Sequence, residues 1–163
     1  MLHLVTFTAL SEFPDRLDAY FNALSPETRS WTPPSWDGCP GEQLTALERL
    51  SYCRDIEIDL YEIAINRAVT EDNPQLKSLD VSAFRAERAY ANANPEEVLA
   101  VFRAARKRTL SILEGMKPEQ WKRSAQVEGY GATTVLGLVH FLASHDEQQL
   151  AALQWLMGMV SAE

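Results

Sequence analysis

The fold is decided by residues 134–159, which read TVLGLVHFLASHDEQQLAALQWLMGM. Apolar side chains recur here at spacings of three and four residues, which is the period of an α-helix packed inside a bundle of helices. An imidazole and an amide therefore lie in the middle of an otherwise apolar seam. The inward-facing positions of this seam are Val135, Leu138, Leu142, His145, Gln149, Ala152 and Leu156.

Two earlier segments show the same helical period. The first is predicted to begin at Pro14, since proline is typical of a first helical turn. It ends before Ser25-Pro26. The second begins at Thr45, whose hydroxyl and the carboxylate of Glu48 form a capping box, and it runs to about Val69. A helix this apolar on several sides is expected to lie deep in a bundle.

A third segment opens with Asn94-Pro95, a helix cap followed by a proline in the first turn. It runs to Gly115, where we expect a left-handed C-cap. The connections between the four helices are about 17 to 24 residues long, whereas tight hairpins need only about 2–8. The pattern predicts an all-α four-helix bundle with long crossover connections, and it shows almost no alternation typical of strands.

Composition narrows the class of protein. The chain has 163 residues, 46% of them hydrophobic, which predicts one globular domain over residues 1–163. Its 15 Lys and Arg against 23 Asp and Glu give a net charge of −8, which argues against nucleic acid as a partner. Two cysteines favour a cytoplasmic location. We expect no contact with membranes, since no apolar stretch approaches the ~20 residues of a membrane span.

The polar pair in the seam is the strongest chemical signal. His145 and Gln149 are four residues apart, so they lie on one face of the helix, whereas His140 lies about 140° around it. Burying an imidazole and an amide is costly unless each finds a partner. One interpretation is a pocket for a ligand or a metal, and the other is a hydrogen-bonded pair that fixes the register of the helices.

Residues 140–150, HFLASHDEQQL, resemble the last-helix signature of the DinB-like superfamily, in which the common pattern is HLxxHDxHHL. Residues 72–99 and 118–134 are similar to the same superfamily, so the likeness covers nearly the whole chain. The resemblance implies a four-helix bundle of up-down-down-up topology, the fold of a family of metalloenzymes. It also implies a homodimer and, in many members, a divalent metal held by three histidines. Some of those members are thiol transferases.

The resemblance places the family's metal positions on Tyr52, His145 and Gln149, so His145 is the only retained ligand. Imidazole suits Zn, Ni or Fe, whereas a glutamine carbonyl is a weak ligand and a phenol does not readily ionise at neutral pH. We therefore expect the usual metal to be lost or held at low occupancy. Cys53 and Glu57 are substitute ligands on the same helix. Alternatively, Cys53 is a small buried hydrophobe and Glu57 pairs with a basic residue.

Two surface features have simpler interpretations than a binding site. A basic cluster on the third helix is expected to form a solvated, salt-bridged face; its members are Arg103, Arg106, Lys107 and Arg108. Trp155, beside Leu156, Met157 and Met159, which we expect to be exposed, is a candidate for the dimer interface. Trp31 and Trp36 are expected to pin the proline-rich loop to the bundle.

Three hypotheses of function follow. The leading one is a metal-free or weakly metal-binding member of the superfamily that binds a small molecule in a pocket lined by Tyr52, His145 and Gln149. The second is a metal-dependent thiol transferase with an altered ligand set. The third is a non-catalytic dimeric interaction module. Elemental analysis separates the first two.

Overall fold

Four long helices dominate the structure, a computed structural model that describes residues 2–162 apart from the side chain of Val81. The predicted four-helix architecture with long connections is confirmed. Met1 and Glu163, which belong to the predicted domain, lie outside the described residues. The helices are α1 (Leu4–Ala23), α2 (Ala46–Ile56), α3 (Glu62–Thr70), the short α4 (Val81–Glu87), α5 (Pro95–Glu114) and α6 (Val135–Val160).

Helices α2 and α3 form one continuous rod, because a single π-helical turn joins them at Glu57–Tyr61. The rod begins with the predicted capping box: the Glu48 amide donates to the Thr45 hydroxyl, and the Thr45 amide donates to the Glu48 carboxylate. The π turn widens the helix by one residue per turn and so changes which side chains face the core downstream. It lies opposite the middle of α6, where the polar pair of the seam is found.

Helix α1 starts at Leu4, ten residues before the predicted start, and Pro14 lies inside it. A proline in a helix cannot donate to the carbonyl four residues earlier, so the Leu10 carbonyl loses its helical partner. The Arg106 guanidinium of α5 donates to that carbonyl at 2.9 Å. The fold therefore tolerates Pro14 because a buried arginine replaces the missing donor.

Helix α5 begins as predicted, with Asn94 accepting hydrogen bonds from the amides of Glu96 and Glu97. Its end differs from the prediction, because Gly115 has φ −79° and is right-handed. The Gly115 amide still bonds to a carbonyl of the last turn, so no left-handed cap is needed. None of the helices in residues 2–162 has an apolar stretch that could cross a bilayer.

A small three-stranded sheet, which the sequence pattern did not indicate, forms within the long connections. Its strands are β1 (Gln75–Leu76), β2 (Ser124–Val127) and β3 (Gly131–Thr134). Strand β1 pairs in parallel with β2, and β2 pairs antiparallel with β3. Strands of two to four residues are too short to show alternation, which is why the period failed to reveal them. The sheet covers one side of α3 and α6.

Candidate functional site

The structure brings Tyr52, His145 and Gln149 together between α2 and α6. The ring centroids of Tyr52 and His145 are 5.3 Å apart, and His145 Nε2 lies 3.3 Å from Gln149 Nε2. Tyr52 and Gln149 are buried, and His145 retains a small exposed fraction. His140 is exposed and takes no part. His145 and Gln149 of α6 therefore point towards the interior of the bundle, as expected.

A fourth residue, Glu42, holds its carboxylate between these groups. It belongs to the loop that joins α1 to α2, and the sequence offered no sign of its role. The Tyr52 hydroxyl donates to Glu42 Oε1 at 2.8 Å, and the Gln149 amide donates to Oε2 at 3.2 Å. Burial by itself raises the pKa of a carboxyl, but the hydrogen bonds from Tyr52, from the main chain and from Gln149 outweigh it, so the pKa of Glu42 is lowered.

A fifth residue, Arg49, fixes the orientation of Gln149. This arginine is fully buried, and its Nη1 donates to Gln149 Oε1 at 2.6 Å. Its Nη2 donates to the carbonyls of Glu42 and Leu44, at 2.8 and 3.2 Å. Because a guanidinium carries only donors, the amide oxygen of Gln149 must face Arg49 and its NH2 must face the site.

This orientation also determines the tautomer of His145. One hydrogen of the Gln149 amide points to Glu42 and the other to His145 Nε2, so Nε2 accepts and the ring proton is on Nδ1. His145 Nδ1 is buried without a hydrogen-bond partner among the described residues, 3.8 Å from an Asp146 oxygen. On the side that faces Gln149, His145 therefore acts as a hydrogen-bond acceptor.

Tyr61, at the end of the π turn, packs on the other side of His145. Their ring centroids are 6.2 Å apart. Burial, together with the negative charges of Asp146 and Glu57, raises the pKa of Tyr61 to about 12. π turns are frequent at functional sites, because the extra residue re-aims the side chains that follow. Here the turn places Glu57 and Tyr61 towards the interior of the bundle.

Glu57, a candidate substitute ligand, is committed to a buried ion-pair network instead. Arg106 donates to Glu57 at 2.8 Å and to both oxygens of Asp146 at 2.7 and 3.0 Å, and the Thr109 hydroxyl donates to Glu57 at 2.6 Å. Glu57 therefore pairs with a basic residue, Arg106, which was the alternative interpretation. Arg106 is 1% exposed, so the prediction that it belongs to a solvated face is wrong.

Two other members of the basic cluster, Arg103 and Arg108, form ion pairs on the surface, as predicted. Arg103 pairs with Asp15 and Asp18 of α1, and Arg108 pairs with Glu62 at 2.7 Å. Two of the tryptophans pack against each other: Trp155 stacks on Trp36, with ring centroids 6.1 Å apart. Leu156, which we expected to be exposed, is buried. Trp155 therefore packs the loop against α6.

Cys53, the other substitute ligand, is a buried hydrophobe. It belongs to an apolar cluster with Phe13, Leu50 and Phe102. Burial and the negative charge of Asp146 raise the pKa of its thiol well above the ordinary value. A thiol that does not ionise is a poor metal ligand. Burial and Glu42 likewise raise the pKa of the Tyr52 phenol well above its usual range.

The donor set of this site does not fit the metal centre that the resemblance implies. The Gln149 oxygen accepts from Arg49, the Tyr52 hydroxyl donates to Glu42, and Cys53 lies within an apolar cluster. A buried guanidinium beside the site also repels a cation. Within residues 2–162, no group of three His, Cys, Asp or Glu side chains is placed to hold a metal ion.

An apolar cleft of about 320 Å³ lies beside the polar site, between α3, α6 and the small sheet. Tyr61 lines this cleft and also contacts His145, so one ring is shared by the two sites. Of the described residues that line the cleft, Lys77 alone carries a charge. Other lining residues are Ala64, Leu76, Val127, Leu138 and Phe141.

The tip of the β2–β3 hairpin closes one end of this cleft. Tyr130, 63% exposed, packs edge-on against Phe141, with ring centroids 4.7 Å apart. It stands between Gly129 and Gly131, which have φ of +75° and +106°. Glycine adopts such angles without strain, so the turn that presents Tyr130 requires these two residues. No pattern in the sequence indicated the role of Tyr130 or the cleft.

Together these features define a four-helix-bundle protein with a polar site between its second and fourth long helices and an apolar cleft next to it. A model of the DinB superfamily matches residues 9–153, and the chain belongs to that superfamily. Among solved structures it is similar to YfiT from Bacillus subtilis, with a TM-score of 0.83 and 18% sequence identity. The match covers 96% of this chain and 86% of YfiT.

YfiT is described as a probable metal-dependent hydrolase with an unusual four-helix bundle topology. At this identity the likeness shows the fold alone, and it agrees with the predicted bundle. No curated protein matches the chain. The superfamily prediction is thus confirmed, whereas the roles of Tyr52, His145 and Gln149 stay predictions.

Proposed function

We propose that this protein is a metal-independent member of the DinB superfamily that binds a small apolar molecule in the cleft beside His145. The cleft itself carries the proposal. Its volume is at the lower end of the ~300–1,000 Å³ usual for ligand sites, and its walls are almost wholly apolar. Tyr61 contacts both the cleft and His145, so the cleft adjoins the predicted pocket of Tyr52, His145 and Gln149.

The chemistry of the walls defines the ligand. Phe141, Tyr61 and Tyr130 offer aromatic surfaces, and Leu76, Val127 and Leu138 add aliphatic ones. A neutral or weakly acidic aromatic molecule suits these surfaces, with Lys77 at the rim available to a negative group. Binding does not use a metal. A homodimer and a cytoplasmic location, suggested by the resemblance and by the low cysteine content, remain predictions within this proposal.

Filling the cleft is the direct test. A neutral apolar fluorophore such as N-phenyl-1-naphthylamine is expected to bind the wild type saturably, at one molecule per chain. Val127→Phe replaces an isopropyl group in the wall of the cleft by a larger aromatic ring, which occupies the space of the ligand. It is expected to weaken binding by about tenfold or more, which corresponds to ~1.4 kcal/mol. Val101→Phe, on the exposed surface of α5, is the matched control and is expected to bind like the wild type. Equal binding by the two variants would contradict the proposal.

Metal content is the second test. Protein purified without an affinity tag or a chelator is expected to contain well under one Zn, Ni or Fe per chain. Added Zn²⁺ is expected to leave the melting temperature unchanged, because a ligand that binds the folded state raises it. Stoichiometric metal, measured by elemental analysis, would overturn the metal-independent proposal and favour the thiol transferase. A bound metal would then have to recruit Glu42 beside His145.

A further inference from the structure

We infer that Tyr52 and Gln149, with the Arg49 guanidinium behind Gln149, form a carboxylate-binding site, which Glu42 fills in the free chain and which a small carboxylate from solution enters when the Glu42 side chain is absent or turned away. The site goes beyond the proposed function, because its donors are different from the residues that line the apolar cleft. Its ligand class is a small monocarboxylate.

The first support is the polarity of the groups around Glu42. The Tyr52 hydroxyl reaches one carboxylate oxygen and the Gln149 NH2 reaches the other, so each oxygen accepts from a different helix. Both donors are buried, with Tyr52 3% and Gln149 0% exposed. Two buried donors that converge on the two oxygens of one carboxylate provide the geometry that carboxylate recognition requires.

The second support is the charge of Arg49. This guanidinium is fully buried, yet its hydrogen bonds go to neutral oxygens of Gln149, Glu42 and Leu44, and it forms no ion pair with a carboxylate of residues 2–162. Among the described residues, its Nε has no hydrogen-bond partner either. A buried cation without a counter-ion is unfavourable, so the local field attracts an anion. The Glu42 carboxylate, bonded to the same Gln149, supplies that anion.

The third support is that the Glu42 side chain is separable from its anchor. Arg49 holds the main-chain carbonyls of Glu42 and Leu44, whereas Tyr52 and Gln149 hold only the carboxylate. Glu42 is half-buried, so rotation about its own side-chain bonds brings the carboxylate to solvent while the loop stays in place. A tethered group of this kind competes at an effective concentration of about millimolar or more.

Chemical rescue tests the inference. Glu42→Ala leaves the donors of Tyr52 and Gln149 unsatisfied and is expected to melt several degrees below the wild type. Sodium acetate is expected to restore most of that difference, with a saturable midpoint in the millimolar range. Sodium chloride at the same ionic strength and acetamide at the same concentration are expected to restore little. The control Glu12→Ala, at an exposed position of α1, is expected to show no saturable response to acetate.

Two further variants separate a carboxylate site from a general loss of stability. Adding Tyr52→Phe to Glu42→Ala removes one donor and is expected to raise the acetate midpoint by about tenfold. Glu42→Gln keeps the size of the side chain but replaces one of its two accepting oxygens by an NH2, so only one of the Tyr52 and Gln149 donors keeps its acceptor; the variant is expected to melt below the wild type and to ignore acetate. A Glu42→Gln variant as stable as the wild type would overturn the inference, and so would rescue by chloride.

The acetate-rescue test and the fluorophore-binding test can fail separately, because they probe different residues. Failure of acetate rescue with normal binding of the apolar fluorophore removes the carboxylate site and leaves the proposed function. Rescue by acetate without fluorophore binding supports the carboxylate site and removes the proposed function.

Discussion

Arg106→Met is expected to lower the free energy of unfolding by about 3–5 kcal/mol, the largest loss among the variants considered. The substitution leaves Glu57 and Asp146 buried, at 1% and 3% exposure, without the cation that both of them contact. It also leaves the Leu10 carbonyl, already deprived of its helical donor by Pro14, without any partner. Urea denaturation measures the loss.

Arg108→Met, two residues further along α5, is the matched control. Its ion pair with Glu62 is on the surface, since the Arg108 side chain is 54% exposed. Surface pairs contribute about 0–1 kcal/mol, so the expected loss is in that range. A similar loss in the two variants would show that the Arg106 network is not a buried structural centre.

The second large effect is expected at the junction of Arg49 and Gln149. Gln149→Met removes the strongest acceptor from a fully buried guanidinium, and Arg49→Met removes the donor from Gln149 and from two main-chain carbonyls. Each variant is expected to lose about 2–4 kcal/mol, because a buried polar group is left without its partner. Denaturation of the two single variants and of the double variant measures the coupling.

The double variant is expected to lose about 1–3 kcal/mol less than the sum of the single losses. Replacing both partners by apolar side chains of similar size leaves fewer polar groups unsatisfied than replacing one. Gln154→Met, which removes only an exposed hydrogen bond from Gln154 to the Tyr20 hydroxyl, is the control on the same helix and is expected to change stability by about 1 kcal/mol or less. Simple additivity would mean that Arg49 and Gln149 do not stabilise each other.

Local patterns predicted most of the helical architecture. The capping box at Thr45 and the cap at Asn94 depend only on residues three or fewer positions away, so the sequence reveals them directly. Pro14 misled the prediction for the opposite reason. Its neighbours in the chain mark a helix start, but Arg106, more than ninety residues away, supplies the donor that lets the helix continue through it.

The candidate site was predictable only in part. The spacing of His145 and Gln149, with the resemblance that adds Tyr52, was enough to indicate one shared location. Glu42 and Arg49 were missed, because a glutamate in a loop and an arginine in a helix look like ordinary surface residues. Their only signal was indirect: an amide in a core seam requires partners of matching polarity.

The sequence by itself determined the number of long helices and the buried seam of α6, because helical period and capping are local properties. The resemblance of its motifs pointed to the DinB superfamily, and the family model confirms that membership. Only the tertiary structure decided which charges are buried together, how the Gln149 amide is oriented and that a cleft opens beside Tyr61. Those features depend on contacts between distant residues, some of them a hundred or more positions apart, such as Arg49 or Glu42 with Gln149. Pairing of donors and acceptors across such distances is set by packing, and no local pattern records it.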